Sequence, residues 1–482
     1  MALTDVLLLI GLSLGVALLC RYERTRHLRN PLLLIVSVVV IFWLQPALPI
    51  RGLDFWLPCA TLALTILGWA LTSSPGENDR RATIVTMLIV AGSVLLLSLT
   101  RFLAMNGTIT ASRPPQTLTV LLVLLSGSGA LLVLSLAGRR FRSSLGLAIF
   151  LLLLLFLVLK LPVLTLTLST WLRGLTGQSR ELASALDIRW LGFSYIAFRL
   201  IHTLRDRQAG RLPQMSLQEY LVYILFFPAI SAGPIDRSER FIKDLRTNYS
   251  TSAQDFGSGI TRLVIGLFMK FVLADTLALF SLNGTNGAQV DSAGWLWLLL
   301  VAYSLQIYFD FSGYTSIAIG MGRLMGIRLP ENFRAPYLKP NLTRFWDSWH
   351  ITLTQWFRAY FFFPLTRFFR TQAKWLPAWL VMLLTQLATM VLIGLWHGVT
   401  VNFALWGLWH GVGLFIQNRW SSWTQPVATR LQKMPILNGV KTALSVALTF
   451  TYVTLGWVWF TIPDPELAMR VLGRVLGFGG WQ

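Results

Sequence analysis

Long apolar segments recur along the whole chain and restrict it to a membrane-embedded, all-α fold. A membrane-spanning helix needs about 20 predominantly apolar residues, whereas a strand of a membrane β-barrel needs only about ten. Only 13% of the 482 residues are charged, against roughly a quarter in a soluble domain. The apolar runs predict membrane spans at 3–20, 31–50, 53–72, 82–104, 117–137, 144–171, 256–281, 292–320, 376–396, 399–417 and 443–461.

Two further segments are apolar but interrupted. The run 188–204 contains Arg199 and His202, and a helix with such residues is expected to face protein or a water-filled cavity. The run 217–234 contains Pro228 and has basic segments on both sides. Because both flanks favour the cytoplasm, we predict a re-entrant or broken element here. An ordinary proline-kinked helix is the alternative.

The excess of basic residues is a topology signal. The formal net charge is +21, but Lys and Arg occur in short clusters between apolar runs, so they do not form a nucleic-acid-binding stripe. The positive-inside rule predicts cytoplasmic joints at 21–30, 139–142, 205–211 and 323–344, with both termini outside. No basic segment precedes the first apolar run, which predicts a retained span instead of a cleaved signal.

Aromatic residues at three- and four-residue spacing in 345–365 predict a helix at the interface or dipping halfway into the membrane.

The sequence does not support several common kinds of catalytic or metal-binding site. Cys20 and Cys59 both lie in or beside apolar runs, so neither a disulfide framework nor a thiolate metal site is indicated. Phosphate-binding loops, dinucleotide fingerprints and His-Glu-x-x-His metal spacing do not occur in the sequence. We therefore predict neither a metal nor a bound cofactor.

Three of the five histidines cluster between residues 341 and 411, each directly after a tryptophan: His350, His397 and His410. Histidine exchanges protons near neutral pH, and an ionisable residue at membrane depth is a candidate functional residue. The residues favour a reactive role for His397 first, then His350, then His410. A position among interfacial tryptophans is the alternative for each of them. A histidine pair at membrane depth suits removal of a proton from an acceptor hydroxyl.

Asp310 is a further candidate. It interrupts the apolar run 292–320, and a carboxylate at membrane depth needs a partner or a cavity. A structural, hydrogen-bonded role is favoured over a catalytic one.

Four motifs together resemble the membrane-bound O-acyltransferase superfamily, in the branch of the teichoic-acid D-alanyl transfer protein and the alginate O-acetyltransferases. They cover roughly residues 190–415. The first resembles the D-alanyl transfer protein especially, and the others occur in both groups. The motifs are Phe226–Arg237, Gln306–Tyr314, Pro330–Tyr337 leading into Phe345–Leu353, and Gly394–Gly398 with Leu405–Gly407.

The resemblance implies a ring of about 11–14 transmembrane and re-entrant helices around a central tunnel. It implies a catalytic core at 181–482, preceded by N-terminal helices at 1–180. His397 would be the essential catalytic residue and His350 the second invariant polar group. Asp310, Asn332 and His410 are secondary candidates.

The resemblance also implies an enzyme of the cell membrane, plasma or inner, that transfers an acyl group. The donor would be a cytoplasmic thioester, acyl-coenzyme A or an acyl-carrier protein, acting as a substrate. The acceptor would be a hydroxyl of an extracytoplasmic glycan or envelope polymer, reached directly or through a partner protein.

Departures from the family pattern leave the donor class open. Ser348 stands where the family often has arginine, and Ala359 stands where aspartate is usual. Transfer of an acetyl group is the leading hypothesis, and D-alanyl transfer to a teichoic-acid-like polymer is the alternative within the same class. A proton-coupled transporter or flippase is the alternative from another class, although no inverted repeat supports it. A scaffold for polymer export is a weaker alternative.

Overall fold

The computed structural model describes residues 2–73, 79–103, 109–140, 143–247 and 252–478, and within these ranges its regular structure is entirely helical. This confirms the predicted all-α class. Three predicted joints lie partly outside the described residues, namely 73–81, 106–116 and 139–142.

Many of the helices are long and apolar enough to cross a membrane. By length and composition, the described residues contain eight such helices, or up to nine if one bent pair forms a single span. They are Leu3–Arg21, Arg26–Trp43, Leu53–Thr72, Arg80–Phe102, Thr117–Leu134, Ala293–Leu324, Ala378–His397 and Pro435–Thr461. The chain is therefore a polytopic membrane protein, and the ring around a tunnel stays a prediction.

Internal contacts divide the chain into two compact units. The first comprises Met1–Leu263 and Ile317–Pro330. The division predicted at residue 180 rests on sequence motifs and stays a prediction. The first unit contains α1 (Leu3–Arg21), α2 (Arg29–Trp43), α3 (Leu53–Thr72), α4 (Arg80–Leu99), α5 (Thr117–Arg140), α6 (Ser144–Lys160), α7 (Pro162–Leu175), α8 (Phe193–Gln208), α9 (Leu217–Leu225), α10 (Ser238–Arg246) and most of α11 (Ala253–Phe268).

The second unit comprises Val264–Ser316 and Glu331–Gln482 and holds all the candidate site residues. It begins with the end of α11 and a π-helical segment, Met269–Ala274. The helices that follow are α12 (Asp275–Ala278), α13 (Gly284–Gln289), α14 (Ala293–Leu324, whose last residues belong to the first unit), α15 (Leu342–Trp346), α16 (Ile351–Phe357), α17 (Phe363–Gln372), α18 (Ala378–His397), α19 (Val401–Gln432), α20 (Pro435–Thr461) and α21 (Pro465–Val475).

The span predicted at 144–171 is not one straight helix. The segment forms two helices, α6 and α7, that are bent by 91° relative to each other. Leu161 is extended between them, and Pro162 is the first residue of α7. Proline has no N–H to donate and disfavours helical backbone in the preceding residue, which explains the break.

The predicted broken element at 217–234 is confirmed. Helix α9 ends at Leu225, and a short 3₁₀ turn follows at Phe227–Ala229. The guanidinium of Arg199 on α8 donates hydrogen bonds to the carbonyl oxygens of Ile224 at 2.7 Å and Ala229 at 2.8 Å. Arg199 and His202 are each only 2% exposed, so the polar side of α8 faces protein, as predicted. The buried Arg199 satisfies carbonyls that the break leaves without helical partners.

The helix predicted at 345–365 begins later than expected: from Ile351 it runs through a π-helical segment, Arg358–Phe362, into α17. Helix α15 ends at Trp346, and α16 begins only at Ile351. His350 between them has a left-handed backbone, with φ 42° and ψ 53°. A non-glycine residue rarely adopts this conformation, so a periodic aromatic pattern gives no sign of it.

Close packing of α18 against α19 fixes the position of His397. A Cβ atom at Gly394 would lie 2.1 Å from the carbonyl oxygen of Phe403. One at Gly407 would lie 2.4 Å from that of Met390. Only glycine allows the two backbones to approach this closely, and the short turn after His397 then reverses the chain.

Candidate active site

His350 and His397 meet at the indole ring of Trp396. The ring centroid of Trp396 lies 6.2 Å from that of His350 and 4.7 Å from that of His397. The structure thus brings together two histidines from different elements.

His397 is the last residue of α18, and aromatic rings surround it. Its ring centroid lies 5.0 Å from Phe460, 5.7 Å from Trp406 and 6.1 Å from Phe403. The side chain is half-buried. A neutral imidazole has one ring nitrogen that can accept a hydrogen bond or a proton.

His350 sits at the N-terminus of α16 and is only 2% exposed. Its ring packs edge-on against Phe311, with centroids 4.7 Å apart. Neither ring nitrogen of His350 makes a hydrogen bond to another residue that the structure describes. A buried polar atom without a partner is unfavourable, so these two nitrogens need an explanation beyond packing.

Asn332 holds the turn that carries His350. Its carbonyl oxygen accepts a hydrogen bond from the Ile351 N–H at 3.0 Å. Its Oδ1 accepts one from the Thr352 N–H at 3.1 Å and another from the Thr352 hydroxyl at 2.6 Å. Asn332 thus caps the first two N–H groups of α16 from a distant point in the chain, a task that normally belongs to the residue before the helix.

His410 does not join the pair. It is fully buried in α19 and packs against Trp406 at 5.0 Å and Trp346 at 5.2 Å between ring centroids. Trp406 also contacts His397, so one indole separates His410 from the nearer of the two paired histidines. The arrangement favours a packing role for His410.

Asp310 has a partner that sequence reasoning missed. Its carboxylate forms an ion pair with the ammonium group of Lys270 in the π-helical segment. Phe311, the next residue along α14, contacts His350. The signal that could have predicted this pair is Lys270 itself, a charged residue in the apolar run predicted at 256–281. Opposite charges at membrane depth, such as those of Lys270 and Asp310, are expected to pair.

The fold and this site define a class of protein: a multi-pass membrane protein with a histidine pair among aromatic rings. The sequence profile of the membrane-bound O-acyltransferase family matches residues 140–455. The chain belongs to this family.

Curated relatives fall into three kinds. The chain is 34% identical over 293 residues to a probable alginate O-acetylase from Pseudomonas syringae pv. tomato, covering 61% of this chain and 52% of the relative. It is 32% identical over 278 residues to a teichoic acid D-alanyltransferase from Bacillus subtilis, covering 57% of this chain and 69% of the relative. It is 33% identical over 264 residues to a peptidoglycan O-acetyltransferase from Helicobacter pylori, covering 54% of this chain and 47% of the relative. The chain thus spans about half the length of the O-acetylating relatives.

Proposed function

We propose that the protein is an O-acyltransferase of the cytoplasmic membrane. It moves an acyl group, with acetyl as the leading candidate, from a cytoplasmic thioester to a hydroxyl of an extracytoplasmic polysaccharide or envelope polymer. The observation that carries the proposal is the meeting of His350 and His397 at Trp396, within the region that the family profile matches.

The chemistry of transfer assigns a task to this pair. The acceptor hydroxyl oxygen attacks the carbonyl carbon of the thioester, an ester bond forms, and the carbon–sulfur bond breaks. The hydroxyl proton passes to a ring nitrogen of His397, and the departing thiolate takes up a proton to leave as a thiol. A positioned base of this kind typically accelerates a reaction by ~10²–10⁴-fold. His350 orients the acceptor or polarises the carbonyl from the other side of Trp396.

The donor enters the reaction as a substrate, as acyl-coenzyme A or an acyl-carrier protein, and no resident cofactor is required by this chemistry. Among the described residues, no group of three or more His, Cys, Asp or Glu side chains is arranged to hold a metal ion.

D-alanyl transfer is the second candidate. It is supported by the Bacillus subtilis relative, of which the chain covers 69%, and by the segment Phe226–Arg237, which resembles that group. The two candidates differ in the acyl group but use the same ester-forming step.

Mass analysis of envelope polymers from cells with and without the gene tests the proposal. Loss of an ester-linked acetyl group supports acetyl transfer, and loss of ester-linked alanine supports the second candidate. A matched strain carrying His397→Ala at normal protein level is expected to show the same loss as the deletion. Unchanged esterification in both strains, together with a change in transported solute, would favour the transporter alternative.

A further inference from the structure

The ion pair between Lys270 and Asp310 occupies an unusual place for two charges. Asp310 lies near the middle of α14, which is one of the helices long and apolar enough to cross a membrane. Lys270 lies in a π-helical segment that interrupts the preceding long helix. Such π segments occur frequently at functional sites.

Glycine at position 313 brings the two helices together. A Cβ atom there would lie 2.8 Å from the backbone nitrogen of Lys270 and 2.9 Å from the carbonyl oxygen of Gly266. The backbones are therefore in contact one helical turn from Asp310. This close approach lets the Lys270 ammonium group reach the carboxylate.

The pair is not sealed inside protein. The Lys270 side chain is 14% exposed, whereas that of Asp310 is 49% exposed. Lys270 binds Oδ1 of the carboxylate, and no further hydrogen bond to the carboxylate is found in the described part of the chain. A half-exposed carboxylate in contact with hydrocarbon would be strongly unfavourable, so its exposed side requires water or a polar ligand.

Helix α11, which leads into the segment with Lys270, has an apolar face that points away from the ion pair. Val264 and Phe268 are 60% and 52% exposed, and side chains four residues apart lie on one face of a helix. Lys270 follows Phe268 by two residues, which places it on roughly the opposite face. The helix thus separates a face suited to lipid from a face that carries charge.

We infer that Asp310 and Lys270 form a water-accessible polar site, distinct from the histidine pair, that takes a polyhydroxylated ligand. The free carboxylate oxygen accepts hydrogen bonds from hydroxyl groups, and the ammonium group holds the carboxylate in place. The assignment of a polyol or glycan as the ligand rests on the proposed function, whereas the access of water does not.

Cysteine labelling tests the site without requiring turnover. In the full chain with Cys20→Ala and Cys59→Ala, Gln306→Cys introduces a thiol one turn before Asp310 and leaves the ion pair intact. Phe268→Cys is the matched control on the apolar face. We expect a charged, membrane-impermeant methanethiosulfonate to modify Gln306→Cys roughly tenfold or more faster than Phe268→Cys, because thiolates form in water and not in hydrocarbon. After denaturation in detergent, a maleimide is expected to modify both thiols, which shows that both cysteines are present and intact.

Protection by a ligand tests the chemical class. Ribitol at millimolar concentration is expected to slow modification of Gln306→Cys, and 1-butanol at the same concentration is not. Failure of the charged reagent to modify Gln306→Cys from either side of the membrane would overturn the site. Modification that ribitol does not slow would overturn the polyol assignment. Both outcomes are independent of acyl transfer, so they are distinguishable from failure of the proposed function.

Discussion

Asn332 accepts two hydrogen bonds from Thr352 through a single oxygen, one from the backbone N–H at 3.1 Å and one from the hydroxyl at 2.6 Å. Asn332 is fully buried, and the bonds fasten the start of α16 directly after His350. His350 itself has a left-handed backbone, which costs of order 1–3 kcal/mol and persists only when its surroundings enforce it. Asn332 is therefore the residue that holds His350 in place.

Asn332→Ala is expected to lower both stability and transfer. The substitution leaves the buried N–H of Thr352 unsatisfied, at a cost of about 1–3 kcal/mol, and frees the His350 turn to relax. Thermal unfolding in detergent and an acyl-transfer assay measure the two effects. Thr352→Val is the graded control, because it removes the hydroxyl bond and keeps the N–H bond, so its effect is expected to be smaller. An Asn332→Ala protein with unchanged melting temperature and full activity would contradict this role.

The sequence ranked His397 and His350 above His410 as reactive candidates, because histidine at membrane depth is rare and its chemistry is distinctive. The structure brings these two together at Trp396, and their catalytic roles stay a prediction. The sequence was sufficient for the broken element after α9, since Pro228 between two basic flanks leaves few alternatives. The structural, hydrogen-bonded role favoured for Asp310 is supported by its ion pair with Lys270, while any catalytic part in the reaction stays a prediction.

Other features depend on contacts between distant residues. Nothing next to His350 in the sequence signals a left-handed turn, because its cap comes from Asn332. Helix α21 was missed because it is only 11 residues long and amphipathic, too short for a spanning segment. The bend at Leu161, by contrast, is predictable from Pro162, because proline disfavours helical backbone in the residue before it. The prediction of one span treats the whole run as a single apolar segment.

Removing one charge of the Lys270–Asp310 pair is expected to reduce the amount of folded protein. Asp310→Asn leaves Lys270, whose side chain is only 14% exposed, without its counter-charge. The double variant Lys270→Met with Asp310→Asn removes both charges and is expected to restore the protein level, because no isolated charge remains.

Membrane-fraction immunoblots and size-exclusion profiles measure these levels. Asp275→Asn is a matched control, since Asp275 is an exposed carboxylate on the next helix. If the double variant accumulated less protein than Asp310→Asn alone, the ion pair would not be the reason for the loss.

Glu219 gives a prediction about pH. Burial opposes its ionisation, but hydrogen bonds from Arg246 and from the Ser216 N–H outweigh burial and hold the pKa of the Glu219 carboxyl below its usual value. A carboxyl with a lowered pKa stabilises the fold above its unfolded pKa, about 4.3. This contribution is lost as the pH falls through the folded pKa.

Glu219→Gln is therefore expected to destabilise the protein by about 1 kcal/mol at neutral pH, a modest figure because Arg246 is largely exposed. The difference from the wild type is expected to shrink as the pH is lowered below about 4. Thermal unfolding in detergent at several pH values measures it, with the exposed Glu239→Gln as control. A destabilisation that stays constant with pH would show that the charge of Glu219 is not responsible.

The orientation of the chain is a fourth prediction. Basic joints at 21–30, 205–211 and 323–344 are expected to face the cytoplasm, which places the thioester donor on the required side. Arg24→Cys and Arg207→Cys, each in a chain with Cys20→Ala and Cys59→Ala, are expected to react with an impermeant maleimide only in inside-out vesicles. Arg51→Cys, in a joint predicted to lie outside, is expected to react only in right-side-out vesicles. The reverse pattern would invert the topology and remove the basis for a cytoplasmic donor.

The paired histidines give the last prediction. His397→Ala is expected to reduce transfer from a thioester donor by ~10²–10⁴-fold, the typical contribution of a positioned base. His350→Ala is expected to impair transfer as well, because its ring faces the same indole as His397. Both variants are expected to remain folded and membrane-inserted, because the His397 side chain is only half-buried and the ring nitrogens of His350 make no hydrogen bond to another described residue. His27→Ala, at an exposed histidine of the first unit, is the control and is expected to keep full activity. Near-normal transfer by purified His397→Ala would remove the catalytic assignment and leave a transporter or scaffold as the better explanation of the histidine pair.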